Sequence, residues 1–488
     1  MEKNIPELLF TSSNDAQGRL CRRLLRDGKV RKLVPRVYTS NLSAPPSSIV
    51  QRNLYPILAK LFPGALVSHR SALEGKPAED GTIFLTYGYT KKIELPGLTV
   101  RLIAGPQSCG RDMAFVGGLH ISCEARAYLE NMQPARSRGT VAKCLPRTEV
   151  ESRLERICRV RGEEGLNKLR DEARELAGEL GMETECDALA GIIGAILSSR
   201  PAGTLRNHAA RARAMGQPYD PDRSALFQTL FSELKSSELD MATENRMSAD
   251  EVRNLAFFEA YFSNYIEGTE FELEEARDIC FENKIPRERP VDAHDILGTF
   301  RVVSDLTTMR EVPCSVETFI DILKRRHAVV MAAHKGMHPG EFKEKPNRAG
   351  ETHFVDPELV RGTLGHAFEL LQGVEHPLAR ASFIMFAVAE IHPFSDGNGR
   401  IARIMMNAEL VYGGMVKIMI PTVYRDDYLL ALRALSRQGR AEPLVKMLSH
   451  AQRFCAGIDF EDFDRARHLL EVANAFKDPD EARLKFSV

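Results

Sequence analysis

No stretch of this 488-residue chain approaches the roughly twenty consecutive apolar residues that a membrane-spanning helix needs. The opening MEKNIPELLF carries no signal-peptide core, so the expectation is a cytoplasmic protein with no membrane partner. A dominant charge is missing as well: 66 Lys and Arg stand against 67 Asp and Glu. No global field then draws the chain to nucleic acid, and any basic patch has to be local. The cysteines (Cys21, Cys109, Cys123, Cys144, Cys158, Cys186, Cys280, Cys314, Cys455) lie singly, without a CxxC pair. That pattern argues against a disulfide framework or zinc site and fits reduced packing residues. His334 and His338 stand four apart and could face one metal ion on a helix, but no third ligand accompanies them. Internal repeats and low-complexity segments are also missing.

What is present is the composition of a globular protein, 43% apolar and 27% charged, in a chain long enough for two or three domains. Three regions separate, at 1–130, 131–205 and 206–488. In the first, GRLCRRLLRDGK sets Arg19, Arg22, Arg23 and Arg26 on one helical face and Leu20, Cys21, Leu24 and Leu25 on the other. VRKLVPRVYTS follows and reads as two short strands joined by a turn. Helix, turn, basic helix and small hairpin is the order of a winged helix-turn-helix. The arginine stripe then either meets DNA phosphates or is a solvated face. The second region is helical and charged, a connector or packing layer without visible chemistry. The third is helical throughout except for GEFKEKPNRAGETHFV, residues 340–355, which predicts a hairpin.

The segments LCRRLLRDGKVRKLVPRVY, VSHRSALEG, GTIFLTYG and GLHISCEARAYLENM together resemble the N-terminal winged-helix region of the abortive-infection (AbiEi-like) antitoxins of toxin–antitoxin systems. The resemblance implies an α+β domain that binds DNA, and it identifies no base-reading residue.

Chemistry concentrates in IHPFSDGNGRIAR, residues 391–403. Upstream, PLARASFIMFAVAE is apolar nearly all round and predicts a central buried helix. Downstream, Ile401, Ile404, Met405, Ala408 and Val411 share a helical face that Gly413 and Gly414 close. The loop thus ends at a helix N-terminus, where free amides and the positive dipole end attract anions. Gly397, Asn398 and Gly399 let successive amides turn inward on a phosphate chain. Arg400 and Arg403 add charge on one side. Asp396 beside phosphates requires a cation between them, with Mg²⁺ and a nucleotide the usual answer. His392 can take a proton from an attacking hydroxyl. Seven fixed residue types at about one in twenty each recur by chance roughly once per billion start positions.

HPFSDGNGRIAR matches the full HxFx(D/E)GNGRxxR signature and is similar to the Fic-domain nucleotidyltransferases. The resemblance implies an all-helical Fic domain with a β-hairpin flap. It also implies AMP transfer from ATP to a Ser, Thr or Tyr hydroxyl of a target protein or of the enzyme itself. His392 becomes the general base and Asp396 the Mg²⁺ ligand. Gly397, Asn398 and Gly399 become the anion hole, Arg400 and Arg403 the outer-phosphate ligands, and Phe394 the core anchor. GETHFV falls where the family has its flap, with Thr352, His353 and Phe354 as target-contacting candidates.

A brake is also written into the chain. SADEVRNLAFFEAYFSNYIEG, residues 248–268, opens on a Ser248/Glu251 capping box. Its apolar stripe is Leu255, Phe258, Phe262 and Tyr265 or Ile266, and Gly268 suits its end. Glu267 falls in the last turn, where the dipole disfavours an acid by some tenths of a kcal/mol. SNYIEG, Ser263 to Gly268, resembles the inhibitory (S/T)xxxE(G/N) motif of Fic proteins, which implies that Glu267 pairs with Arg403. An autoinhibited adenylyltransferase, an ATP-sensing transcriptional regulator and a Fic enzyme that uses another donor or removes AMP are all compatible with these residues. Whether the chain forms a homo-oligomer stays open.

Overall fold

The computed structural model describes residues 5–11, 16–134, 141–239 and 248–485. Residues 1–4, on which the expectation about the N-terminal leader partly rests, lie outside these, as do 135–140 of the predicted connector. The chain divides into two compact units, Met1–Met215 and Gly216–Val488.

The first unit is α+β. It begins with β1 (Leu8–Phe10), α1 (Ala16–Arg26), β2 (Arg31–Val34) and β3 (Val37–Thr39). The predicted turn between two strands is there, with Arg36 at φ 69. The helix expected ahead of the basic helix is instead a strand: β1 pairs antiparallel with β3 in the order β1-β3-β2. Among the described residues α1 is therefore the only helix before the hairpin. Its apolar face is also narrower than expected. Gly18, Cys21 and Leu24 are buried, whereas Leu20 and Leu25 are 41% and 43% exposed, because a single helix resting on so small a sheet covers only one stripe.

Next come α2 (Pro46–Arg52), α3 (Leu54–Leu61), β4 (Leu66–Val67), α4 (His69–Glu74), β5 (Thr82–Tyr87), β6 (Lys91–Leu95), β7 (Leu98–Ala104), β8 (Met113–Ala114) and β9 (His120–Ile121). These strands form a mixed six-stranded sheet, β6-β7-β5-β4-β9-β8, with β5 and β7 parallel. The parallel pair explains the apolar run TIFLTY, since a strand covered on both faces needs no polar alternation. α5 (Glu124–Met132), α6 (Arg147–Leu180), α7 (Glu183–Ile196) and α8 (His208–Ala214) complete the unit. Leu129 of α5 shares a core with Leu154 and Leu169 of α6 and Leu189 and Ile192 of α7, so a division near residue 130 falls inside one core.

The second unit is helical: α9 (Pro221–Ser236), α10 (Ala249–Ile266), α11 (Leu273–Glu282), α12 (Pro290–Ser304), the short α13 (Leu306–Met309) and α14 (Val316–Val330). The hairpin β10 (Arg348–Ala349) and β11 (Thr352–His353) follows. It leads to α15 (Val360–Gln372), α16 (Pro377–Ile391), α17 (Asn398–Tyr412), α18 (Arg425–Gln438), α19 (Glu442–Ala456) and α20 (Phe463–Val472). α16 runs through the core with Ala381 to Val388 all buried, and α17 packs beside it with Ile401, Ile404, Met405 and Ala408 at 0–1% exposure. α10 starts on the predicted capping box, Glu251 N–H donating to Ser248 Oγ (3.1 Å) and Ser248 N–H to Glu251 Oε2 (2.6 Å). Leu255, Phe258, Phe262 and Ile266 face inward, while the Tyr265 hydroxyl turns out to Asp478 (2.7 Å). His334 and His338 do not share a helix. A short turn separates them, His338 has φ 50, and His334 Nε2 bonds Asp295 Oδ1 at 2.7 Å.

Candidate active site

The site begins where α16 stops. His392 caps that helix in the left-handed region at φ 54, a conformation costly for a side chain with a Cβ and one that clusters at functional sites. Its Nδ1 lies 3.1 Å from the Ala389 carbonyl. A carbonyl only accepts, so Nδ1 carries the proton and the neutral ring leaves Nε2 free as a base. Burial pushes the imidazole pKa down to about 4, with Lys343 adding to the effect and Glu267 and Asp396 opposing it. The ring is therefore unprotonated at neutral pH.

The turn from His392 to α17 is pinned from three sides. Phe394 is fully buried and stacks on His327 with centroids 3.7 Å apart and planes at 4°. Asn398 Oδ1 accepts from the Phe394 amide (2.8 Å), and its Nδ2 donates to the Phe394 carbonyl (2.9 Å). The Asn398 side chain thus shapes the loop and is not itself turned to an anion. His327 Nδ1 accepts from Gly340 N–H (2.8 Å), which puts the proton on Nε2, and Nε2 donates to the Asp396 carbonyl (3.0 Å).

Gly397 takes φ 73, the left-handed backbone glycine tolerates at little cost. Its amide donates to Asp396 Oδ1 (2.7 Å), so this N–H orients the acid. The amides of Asn398, Gly399 and Arg400 have no acceptor among the described residues. They open the first turn of the 15-residue α17, where unsatisfied N–H groups and the dipole attract negative charge. Ser395 and Asp396 are exposed, and the second carboxylate oxygen of Asp396 has no protein partner among the described residues.

Both arginines are buried, at 3% and 5% exposure, and they have different partners. Arg403 Nη2 meets Glu267 Oε1 (2.7 Å) and the Ser263 carbonyl (2.9 Å), and its Nε donates to Ser263 Oγ (3.0 Å). Burial works against its charge, and Glu267 together with Tyr428 more than offsets that. Glu267 ends α10, and Gly268 at φ 89 turns the chain away. A Cβ built on Gly399 would clash with Glu267 Oε1, so this carboxylate lies against the first turn of α17. Arg400 instead pairs with Asp295 of α12 (Nη1 to Oδ2, 3.0 Å) and lies 3.2 Å from the Met331 sulfur. Asp295 was not foreseen: nothing in the sequence around it marks a partner for an arginine on another helix.

The hairpin lies against His392. Phe354 stacks face to face on His392, centroids 3.7 Å apart and planes at 4°. Thr352 Oγ1 accepts from Arg437 (3.1 Å). Arg223 donates to the His353 carbonyl and pairs with Glu390 (2.9 Å). At its base, Lys343 and Asn347 hold the signature loop: Lys343 N–H donates to the Pro393 carbonyl (2.9 Å) and Asn347 Nδ2 to the Phe394 carbonyl (3.0 Å). Lys343 and His327 also escaped the sequence reading.

In the first unit, Arg19, Arg22, Arg23 and Arg26 are all exposed on α1. No carboxylate pairs with them among the described residues; Arg22 Nε donates to the Gly18 carbonyl (3.2 Å).

With this geometry in view, residues 318–410 match the Fic/DOC family model. This segment is similar to Fic domains. The match spans α14, the hairpin, α15, α16, the signature loop and most of α17. Among curated relatives, Protein adenylyltransferase Fic of Drosophila erecta is 25% identical over 224 residues, 44% of this chain and 44% of the relative. Protein adenylyltransferase fic-1 of Caenorhabditis elegans is 24% identical over 208 residues, 41% of this chain and 40% of the relative. The chain thus covers less than half the length of either. A solved fragment of C. elegans Fic-1 aligns with a TM-score of 0.35 and 19% identity, covering 66% of this chain and 96% of the fragment. No helix among the described residues is long and apolar enough to cross a membrane.

Proposed function

We propose that this chain is a protein adenylyltransferase restrained by its own α10, moving AMP from ATP to a Ser, Thr or Tyr hydroxyl of a target protein or of itself. One observation carries the reading: Glu267 both pairs with Arg403 and lies against Gly399 in the first turn of α17, so an internal carboxylate stands where an outer phosphate would bind. The names of the curated relatives support the same activity.

In the proposed reaction His392 Nε2 takes the proton of the acceptor hydroxyl. The hydroxyl oxygen forms a bond to the α-phosphorus of ATP, and the bond from that phosphorus to the bridging oxygen breaks. Pyrophosphate leaves with the electron pair. The amides of Asn398, Gly399 and Arg400 hold phosphate oxygens without needing to reorganise. Arg403 meets the outer phosphates once Glu267 withdraws. Asp396, exposed, oriented by Gly397 and with one oxygen unpartnered, suits a hard divalent cation. Bound there, Mg²⁺ would neutralise phosphate charge. Arg400 departs from the expected role, since Asp295 already holds it.

Phe354 stacks on the face of the His392 ring, which leaves Nε2, in the plane of the ring, open to an acceptor. β11 would offer its backbone to the target by strand addition, which needs few specific side chains. A second reading rests on the exposed arginines of α1: the first unit would bind DNA phosphates and the Fic domain would act in a regulator.

The deciding experiment is transfer of label from α-labelled ATP with Mg²⁺ to protein, comparing wild type, Glu267→Gly and Glu267→Gly with His392→Ala. Labelling that rises in the single variant and vanishes in the double supports the proposal. No labelling in any of them, with ATP still bound, favours another donor or the regulator.

A further inference from the structure

Lys343 is a buried cation that the transfer chemistry above does not use. It is 4% exposed, and no carboxylate pairs with it among the described residues: its Nζ bonds the Asn347 side-chain oxygen at 2.6 Å and lies 6.0 Å from the centre of the Phe354 ring. Burying a charge without a counter-ion is costly, so a glutamine or methionine would fill this place at lower cost unless the charge has work to do. The contacts around it point one way. Lys343 N–H holds the Pro393 carbonyl, beside the catalytic histidine. Asn347, fixed by Lys343 Nζ, donates to the Phe394 carbonyl. The Asn347 carbonyl in turn accepts from Phe354 N–H (3.2 Å), and the Phe354 ring lies on His392. One side chain therefore joins both strands at the base of the flap to the signature loop.

We infer that Lys343 is a positioning residue for the transfer proposed above, on which reading this inference rests: its cation closes the flap on His392 through Asn347 and Phe354 and sets the charge that the imidazole meets. Lys343 lowers the basicity of His392, while Glu267 from α10 and Asp396 from the loop raise it. Burial brings Lys343 itself down to about 8, with Asp356 opposing and Arg223 reinforcing the shift. The cation is thus present at neutral pH and lost as pH rises through about 8.

The test uses the full chain and two readouts. In the first, the His392 ring C–H resonance is followed from pH 7 to 9.5, assigned by its loss in His392→Gln. A step centred near pH 8 is expected in wild type, absent in Lys343→Met and Lys343→Gln and displaced beyond the range in Lys343→Arg. A wild-type resonance without a step overturns the inference. This readout needs no catalysis, so it stands even where no labelling is seen and the adenylyltransferase reading fails. In the second, labelling is measured in the Glu267→Gly background. Lys343→Met is expected to lower kcat about tenfold with little change in the KM for ATP. Lys343→Arg is expected to restore it and carry activity to higher pH. Melting curves identify variants that fail to fold. Folded Lys343→Met with kcat and pH profile unchanged overturns the inference.

Discussion

Two sets of arginines in this chain teach opposite lessons about charge. Arg400 and Arg403 of α17 are nearly inaccessible, and each faces a carboxylate from another helix, Asp295 or Glu267. Arg19, Arg22, Arg23 and Arg26 of α1 are exposed and meet no carboxylate among the described residues. In sequence the two sets look alike, at helical spacings of three and four. Leaving a buried charge unpaired is costly, so the partners of these two arginines mark a site; a solvated stripe is compatible with any partner or none.

The contrast can be broken at several points. The largest effect is expected at the proposed base: His392→Ala in the Glu267→Gly background should lower labelling by about a hundredfold or more, the usual weight of a positioned base. Restoring Glu267 should lower it by about tenfold, in proportion to the fraction of molecules whose cradle is open; a titration of labelling against ATP measures this. Asp295→Asn leaves Arg400 buried without its acid. It should cost about 3 kcal/mol in urea unfolding, whereas an unchanged midpoint would make this pair as dispensable as a surface one. The smallest effect belongs to α1: Arg22→Gln with Arg23→Gln should leave unfolding unchanged. If the first unit binds DNA, the pair should also flatten the dependence of affinity on salt; wild type with no salt-dependent binding at all removes the DNA reading.

Much of this was legible in the residues. The signature loop, the Ser248 capping box, the apolar α16 and the turn between β2 and β3 are set by neighbours within a few positions, where spacing speaks directly. The pairing of Glu267 with Arg403 could be anticipated only through a family motif, because nothing local links α10 to α17. Asp295, His327 and Lys343 stayed hidden for that reason. Each owes its role to a partner on a different element, and each sits in an ordinary sequence context. β1 was missed because LLF is too short for any periodicity, and the parallel pairing of β5 with β7 is a tertiary choice that overrides local pattern. The hairpin was expected from its turn residues, yet the stacking of Phe354 on His392 depends on how the flap is tied at its base.

The reach of Glu267 over Gly399 has one more consequence on the proposed reading. Acid and cradle belong to the same compact unit, so the occupant is a tethered competitor whose local concentration is set by the fold, on the order of millimolar or above. It cannot be diluted away. A sparse population of molecules is held as firmly as a crowded one, and restraint of this kind answers to the level of nucleotide rather than to the level of protein.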